Sequence, residues 1–283
     1  MPASFSHYLY PLLGQFSNER ELLWLDSITK NNPQLVMEAF VKAPRFLSKT
    51  IVHQPKEIKN LVPEVPGFQV DQWNLVRLSR VWFLDHLSNL PKDEFLQRIE
   101  TLFDTAELNE LVALFSALPL FPYPEIWLPK ATDAVRSNMG FVFDAISLNN
   151  PYPSLYFSEL AWNQLVLKTI FNGKPIELIY GLLQRRNSNL SNSILDFVKE
   201  RWAAGRDVPP NVWQLVAPFV SETDLPIIER LFLSHKEEDK IAATLLCIES
   251  KLPFAIQLLI KYPNYKEECE NGIWNWSNLK TII

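Results

Sequence analysis

The stretch DQWNLVRLSRVWFLDHL, residues 71–87, decides the fold class. Trp73, Val76, Leu78, Val81, Leu84 and Leu87 recur at helical spacing rather than at the period of two that a strand requires. NERELLWLDSITK at 18–30 repeats the pattern with Leu22, Trp24, Leu25 and Ile28. Outward from these two, helical segments are expected at 32–52, 92–103, 105–117, 130–147, 153–171, 175–186, 190–204, 210–220, 223–234, 237–250 and 253–262. No stretch alternates as a strand would, so the sequence predicts an all-α protein.

Composition agrees, because 7 glycines and 21 prolines in 283 residues suit many short helices better than hairpins. Asn32-Pro33, Leu90-Pro91, Tyr152-Pro153, Lys174-Pro175, Pro209-Pro210 and Leu252-Pro253 put proline at or near helix starts. Asp71, Asp104, Ser191 and Ser221 are the expected N-caps. Helices of this length joined by short connectors predict a HEAT-like α-solenoid of antiparallel helix pairs, with a compact irregular bundle as the alternative. The segment HQPKEIKNLVPEVPGFQV, 53–70, is expected either to divide an N-terminal helical subdomain, 1–60, from a main domain, 71–283, or to be a long connector within one continuous domain. A second connector, LPLFPYPEIWLP at 118–129, is expected to run extended.

Several function classes are disfavoured. The net charge is −5, which argues against a nucleic-acid partner. No apolar run reaches the roughly 20 residues of a spanning helix, and the N-terminus lacks a signal peptide's pattern, so a cytoplasmic location is expected. Cys247 and Cys269 read as free thiols, and with His7, His53, His86 and His235 scattered along the chain no metal site is expected. The basic charge is local: residues 161–206 hold seven Lys and Arg against three Asp and Glu, a net of +4 that leaves −9 elsewhere.

That basic window opens on AWNQLVLKTIFNGKPI, 161–176. On a helical wheel it is apolar nearly all round, with Gln164 and Lys168 forming a polar stripe and Asn163 beside it. A buried amide or ammonium needs a partner, so the stripe faces either an internal network or a groove that holds a ligand. In the groove reading Asn163, Gln164 and Lys168 bind a carbonyl or carboxylate, assisted by Arg185, Arg186, Arg201 or Arg206, while Tyr156, Trp162, Trp202 and Trp213 wall in a planar ligand.

The blocks FDAISLNNP, AWNQLVLKTIF, GKPIELIYGLLQRRN and LDFVKERWAAGRDVPPNVWQLVAPF, within 141–220, resemble the EboA family. The resemblance implies a helical protein in the traffic of secondary-metabolite precursors, with other products of the same metabolite-export gene cluster as partners. It carries no settled catalytic residues. Motif positions that follow from it are Asn163, Gln164, Lys168, Arg185, Arg201 and Arg206. ERWAAGRDVPP also reads physically as a helix end, with Gly205 near the cap.

Enzyme signatures are missing: the chain has no GxSxG, HExxH, CxxC or phosphate-cradling glycine loop, and adjacent Asp85 and His86 diverge on a helix. No cofactor is expected. The sequence therefore points to a non-catalytic binding or scaffold component that handles a small acidic or aromatic metabolite. Two alternatives stand beside it: an enzyme acting on an acidic aromatic metabolite with Lys168 as acid, base or nucleophile, and a scaffold that grips peptide.

Overall fold

A computed structural model describes residues 5–28, 31–55 and 60–279. Its α-helices are α1 (Ser6–Phe16), α2 (Glu19–Ser27), α3 (Pro33–Phe46), α4 (Leu75–Leu87), α5 (Lys92–Thr105), α6 (Leu108–Ala117), α7 (Leu128–Arg136), α8 (Gly140–Ser147), α9 (Tyr152–Tyr156), α10 (Glu159–Phe171), α11 (Ser188–Ala203), α12 (Leu225–Phe232), α13 (Glu237–Ser250), α14 (Pro253–Lys261) and α15 (Lys266–Glu270). Short 3-10 turns fill several connections, and among the described residues there is no strand, only an isolated bridge between Ile51 and Asn74. The chain divides into two compact units, Met1–Leu165 with Leu178–Tyr180, and Val166–Glu177 with Gly181–Ile283.

The first unit is built around α4. Leu75, Leu78, Val81, Trp82, Phe83, Leu84 and Leu87 are all buried, and α1, α3 and α6 pack on the helix. A helix surrounded in this way has no solvent stripe on which to place polar residues, yet α4 also buries Ser79, Arg80 and Asp85. Each has a partner. Ser79 Oγ donates to Val76 O at 2.9 Å, and Arg80 Nε donates to Phe40 O at 2.9 Å. The Asp85 carboxylate accepts from the backbone N–H of Phe5 at 3.0 and 3.1 Å, capping α1 from outside its own sequence. Trp82 Nε1 donates to Ser6 Oγ at 2.6 Å and fixes the same helix start.

The residues flanking the connector 53–70 pair with each other, Val52 N donating to Trp73 O at 2.7 Å and Leu75 N to Thr50 O at 2.9 Å. Val62, Val65, Phe68 and Val70 are buried within the connector. Asp71 serves this loop, accepting from Gln54 N at 3.1 Å, and the N-cap of α4 is Asn74, which accepts from Arg77 N at 2.9 Å. Two further caps differ from expectation: Asp104 lies inside α5 and Ser191 inside α11, whose cap is Asn187. Ser221 does cap, through a reciprocal box with Asp224.

The expected helix at 130–147 is broken into α7 and α8 around Ser137. The segment 118–129 is not extended; it forms two 3-10 turns that bury Leu118, Leu120 and Trp127. A proline φ near −65° serves a 3-10 turn as well as an extended chain, and the aromatic residues decide for the compact form. At 175–186 and 210–220, likewise, turns and 3-10 segments replace helix.

The second unit repeats the scheme with α13 at its centre. Ile241 to Cys247 are buried without interruption, and α12, α14, α15 and the 3-10 segments at 210–219 pack around them. Arg186 ties the unit together, its Nη1 donating to Gln214 O at 2.9 Å and pairing with Glu249 Oε1 at 2.5 Å. Glu249 also accepts from Trp276 Nε1 at 3.0 Å, which docks the C-terminal tail on α13.

Candidate functional site

The helix that raised the question about polar groups, α10, proves to have a solvent side. Leu160 is 80% exposed, Phe171 58% exposed, and Gln164 lies exposed on the same face. Trp162, Leu165, Val166 and Ile170 are buried opposite. The expected burial all round is therefore wrong: the rule that apolar residues go inside runs one way, and single exposed Leu and Phe are ordinary. The polar stripe splits, with Gln164 facing outward, Asn163 only 8% exposed and Lys168 half-buried. Burial holds the Lys168 ammonium below the ordinary lysine pKa.

The arginines also separate by role. Arg185 sits half-buried at the end of the turn from Gly181, and Arg186 is committed to the internal ties described above. Tyr156 belongs to the first unit, where its ring lies 5.0 Å from that of Tyr152; burial, and then Glu125, raise its pKa. Trp213 is fully buried behind Trp202, with ring centroids 6.0 Å apart, so it backs a wall without lining one.

Trp202, Arg206 and Arg201 come together at the end of α11. Gly205 takes φ +67°, Gly205 N donates to Trp202 O at 3.1 Å, and Arg206 N donates to Arg201 O at 2.8 Å, which is a Schellman turn. ERWAAGR thus ends a helix as its sequence suggests. Arg201 Nε donates to Asp207 O at 2.7 Å and holds the chain beyond the turn. Asp207 pairs with Lys236 at 2.7 Å, the residue that precedes α13.

These ties frame an open pocket of about 540 Å³ within the second unit, with Trp202 and Arg206 on one wall and Arg230, His235 and Asp239 on the other. The Arg230 guanidinium lies 4.2 Å over the Trp202 ring, a cation–π contact. The acids nearby are engaged: Asp207 with Lys236, Glu229 with Lys261 at 2.7 Å, and Asp239 accepting from Ser234 Oγ at 2.6 Å. Burial keeps the Asp239 carboxyl above the usual carboxylate range, against the opposing effect of the Ser234 bond. Neither Arg206 nor Arg230 has an ion-pair partner among the described residues. The pocket can accept negative charge beside an aromatic face.

Arg230, His235 and Asp239 are not among the site residues that the sequence suggests, and His235 figures there only as one of four scattered histidines. Asp239 stands in the first turn of α13. Nothing in local spacing announces that Arg230, one helix earlier, reaches back to Trp202.

The profile of a family described as metabolite traffic protein EboA matches residues 5–217. The chain belongs to the EboA family. No curated protein and no solved structure matches it. The EboA match extends far ahead of the blocks within 141–220 and takes in Trp202 and Arg206, but it ends before Arg230, His235 and Asp239. One wall of the pocket thus lies inside the EboA segment and the other beyond it. No described helix is long and apolar enough to cross a membrane.

Proposed function

We propose that this EboA chain is a non-catalytic binding component of a metabolite-traffic system, and that its second unit holds a small acidic metabolite with a planar body. The observation that carries the reading is the pairing of Arg206 and Arg230, both without an ion-pair partner among the described residues, around the Trp202 ring in one pocket. Arginine offers a planar fork matched to carboxylate, and the indole face suits a flat ring. The family description supports the traffic role. Packing of α3 on α4 and of α13 on α14 is what supports the HEAT-like reading of the fold.

Native mass spectrometry of the protein isolated from its own host is the test, run beside the folded double variant Arg206→Gln/Arg230→Gln. An acidic aromatic adduct on the wild type that disappears from the variant is the expected result. An adduct retained equally by both, or no adduct on the wild type, overturns the assignment of this pocket.

The enzyme reading keeps one specific support, the lowered Lys168 pKa, which is the direction that acid–base or nucleophilic chemistry requires. Turnover of an aromatic acid by the wild type and its abolition in folded Lys168→Met would decide for that reading over simple binding.

A further inference from the structure

Arg77 and Arg80 lie one turn apart on α4, and their surroundings differ. Arg80 is engaged from within: Nε donates to Phe40 O, Nη2 pairs with Glu110 at 3.0 Å, and the guanidinium lies 5.2 Å from the centroid of the Phe40 ring. Arg77 uses one donor only, Nε to Ser116 Oγ at 2.9 Å, while its plane stacks 4.1 Å over Trp73. No described residue accepts from Arg77 Nη1 or Nη2 within hydrogen-bond distance. Stacking and the Ser116 bond fix the plane of the fork and leave its far end to the space in front.

That space is a cavity of about 610 Å³ in the first unit. Val76, Val112 and Phe141 give it an apolar lining, and Phe141 is 69% exposed at the rim. Charged groups facing it are Lys49, Arg77, Arg80, Glu107, Glu110 and Asp144. Glu110 is matched by Arg80 and, with Glu107, closes the capping box of α6. Burial pushes the Arg77 guanidinium down to about 9, with Asp144 partly offsetting the shift, so it is still a cation at neutral pH. The Arg77 side chain is half-buried, and an anion in the cavity would complete its hydrogen bonds.

We propose that this cavity is a carboxylate-binding site, in which the two Nη groups of Arg77 take the carboxylate of a small organic acid whose apolar body lies against Val112 and Phe141. The three acids facing the cavity balance its three bases, so a monocarboxylate is favoured over a phosphate dianion. Every residue named lies within the EboA match. The inference is independent of the pocket at Trp202, because it concerns the other unit.

The test is calorimetric titration with 3-phenylpropionate, phenethylamine and inorganic phosphate, in an Arg206→Gln/Arg230→Gln background that removes the other arginine pair. Saturable binding of 3-phenylpropionate alone is expected, with Kd on the order of 1 mM or tighter. Arg77→Gln should weaken it about tenfold or more, the scale of a lost charge-assisted bidentate contact. Should Arg77→Gln fail to fold, Phe141→Glu decides, since it alters an exposed residue and places a competing carboxylate at the rim; it too should weaken binding. Absence of saturable binding, equal affinity in a folded variant, or binding of phosphate in preference to 3-phenylpropionate overturns the proposal.

Discussion

Arg80 Nη2 lies 3.0 Å from Glu110 Oε1, and the two side chains are only 4% and 9% exposed. This pair joins α4 to α6 in the interior of the first unit, while the other Glu110 oxygen accepts from Glu107 N at 3.1 Å. Removing one partner strands a buried charge, at a cost of about 3–5 kcal/mol, whereas replacing both with apolar side chains of similar volume is often neutral. Arg80→Met should therefore lower stability by about that amount, and Arg80→Met/Glu110→Leu should recover most of it. Urea midpoints of the three proteins check this; equal midpoints for single and double variants would contradict it.

Gly67 adopts φ +86°, and a Cβ at that position would stand 2.1 Å from the Tyr180 ring. Gly67→Ala combines left-handed strain with overpacking, together about 2–4 kcal/mol. Adding Tyr180→Ala should restore only the steric part. The urea midpoints of the single and double variants separate the two contributions.

Gly205 gives the contrasting case, since its φ is +67° but a Cβ there would meet nothing within 4 Å. Gly205→Ala should cost only about 1 kcal/mol, the strain of the turn. Its larger effect should fall on ligand retention in the second unit, because the same turn places Arg206. Thermal unfolding and native mass spectrometry, read on one sample, distinguish the small loss from the large.

The helical class was legible because α4 and α13 carry long apolar runs with clear starts, and α13 spans the expected 237–250. Boundaries failed where one residue type admits two geometries. Prolines at 118–129 allow a 3-10 turn as readily as an extended chain, and Asp71 ties a loop where it could have capped a helix. The candidate site failed differently. Apolar composition in α10 suggested burial, but Leu160 and Phe171 point to solvent, whereas the helix that truly buries charge, α4, showed an ordinary pattern. Arginine in a strongly apolar helix is the signal that could have been used. Arg230 could not be found at all, because its relation to Trp202 exists only once α11 and α12 are assembled.

Both thiols are buried, and burial pushes Cys247 and Cys269 up to about 12, with Glu268 and Glu270 adding to the effect at Cys269. A raised native pKa favours the protonated form, so the stabilising contribution is complete below about pH 8.5, where the unfolded thiol titrates. It declines as pH rises from there towards 12, by about 1 kcal/mol per thiol for the first unit of pH. Urea midpoints at neutral and alkaline pH should diverge in the wild type and less so in Cys247→Ala. Native protein should also react slowly with a thiol reagent that labels the unfolded chain at once.

Glu249 accepts from both Arg186 and Trp276. Glu249→Gln should free the C-terminal tail before it unfolds the second unit. Limited proteolysis should cut near residue 270 in the variant under conditions that leave the wild type whole, with little change in far-UV dichroism.

The return of Leu178–Tyr180 to the first unit governs how that unit can be made. Asn149 N donates to Leu178 O at 2.7 Å, and Tyr180 covers Gly67. A ribosome that has released only the residues up to Leu165 has delivered every helix around α4 but not the segment that closes them. Completion of the first unit therefore waits on chain that already belongs in part to the second, and any gene fragment meant to express it alone has to run past Tyr180.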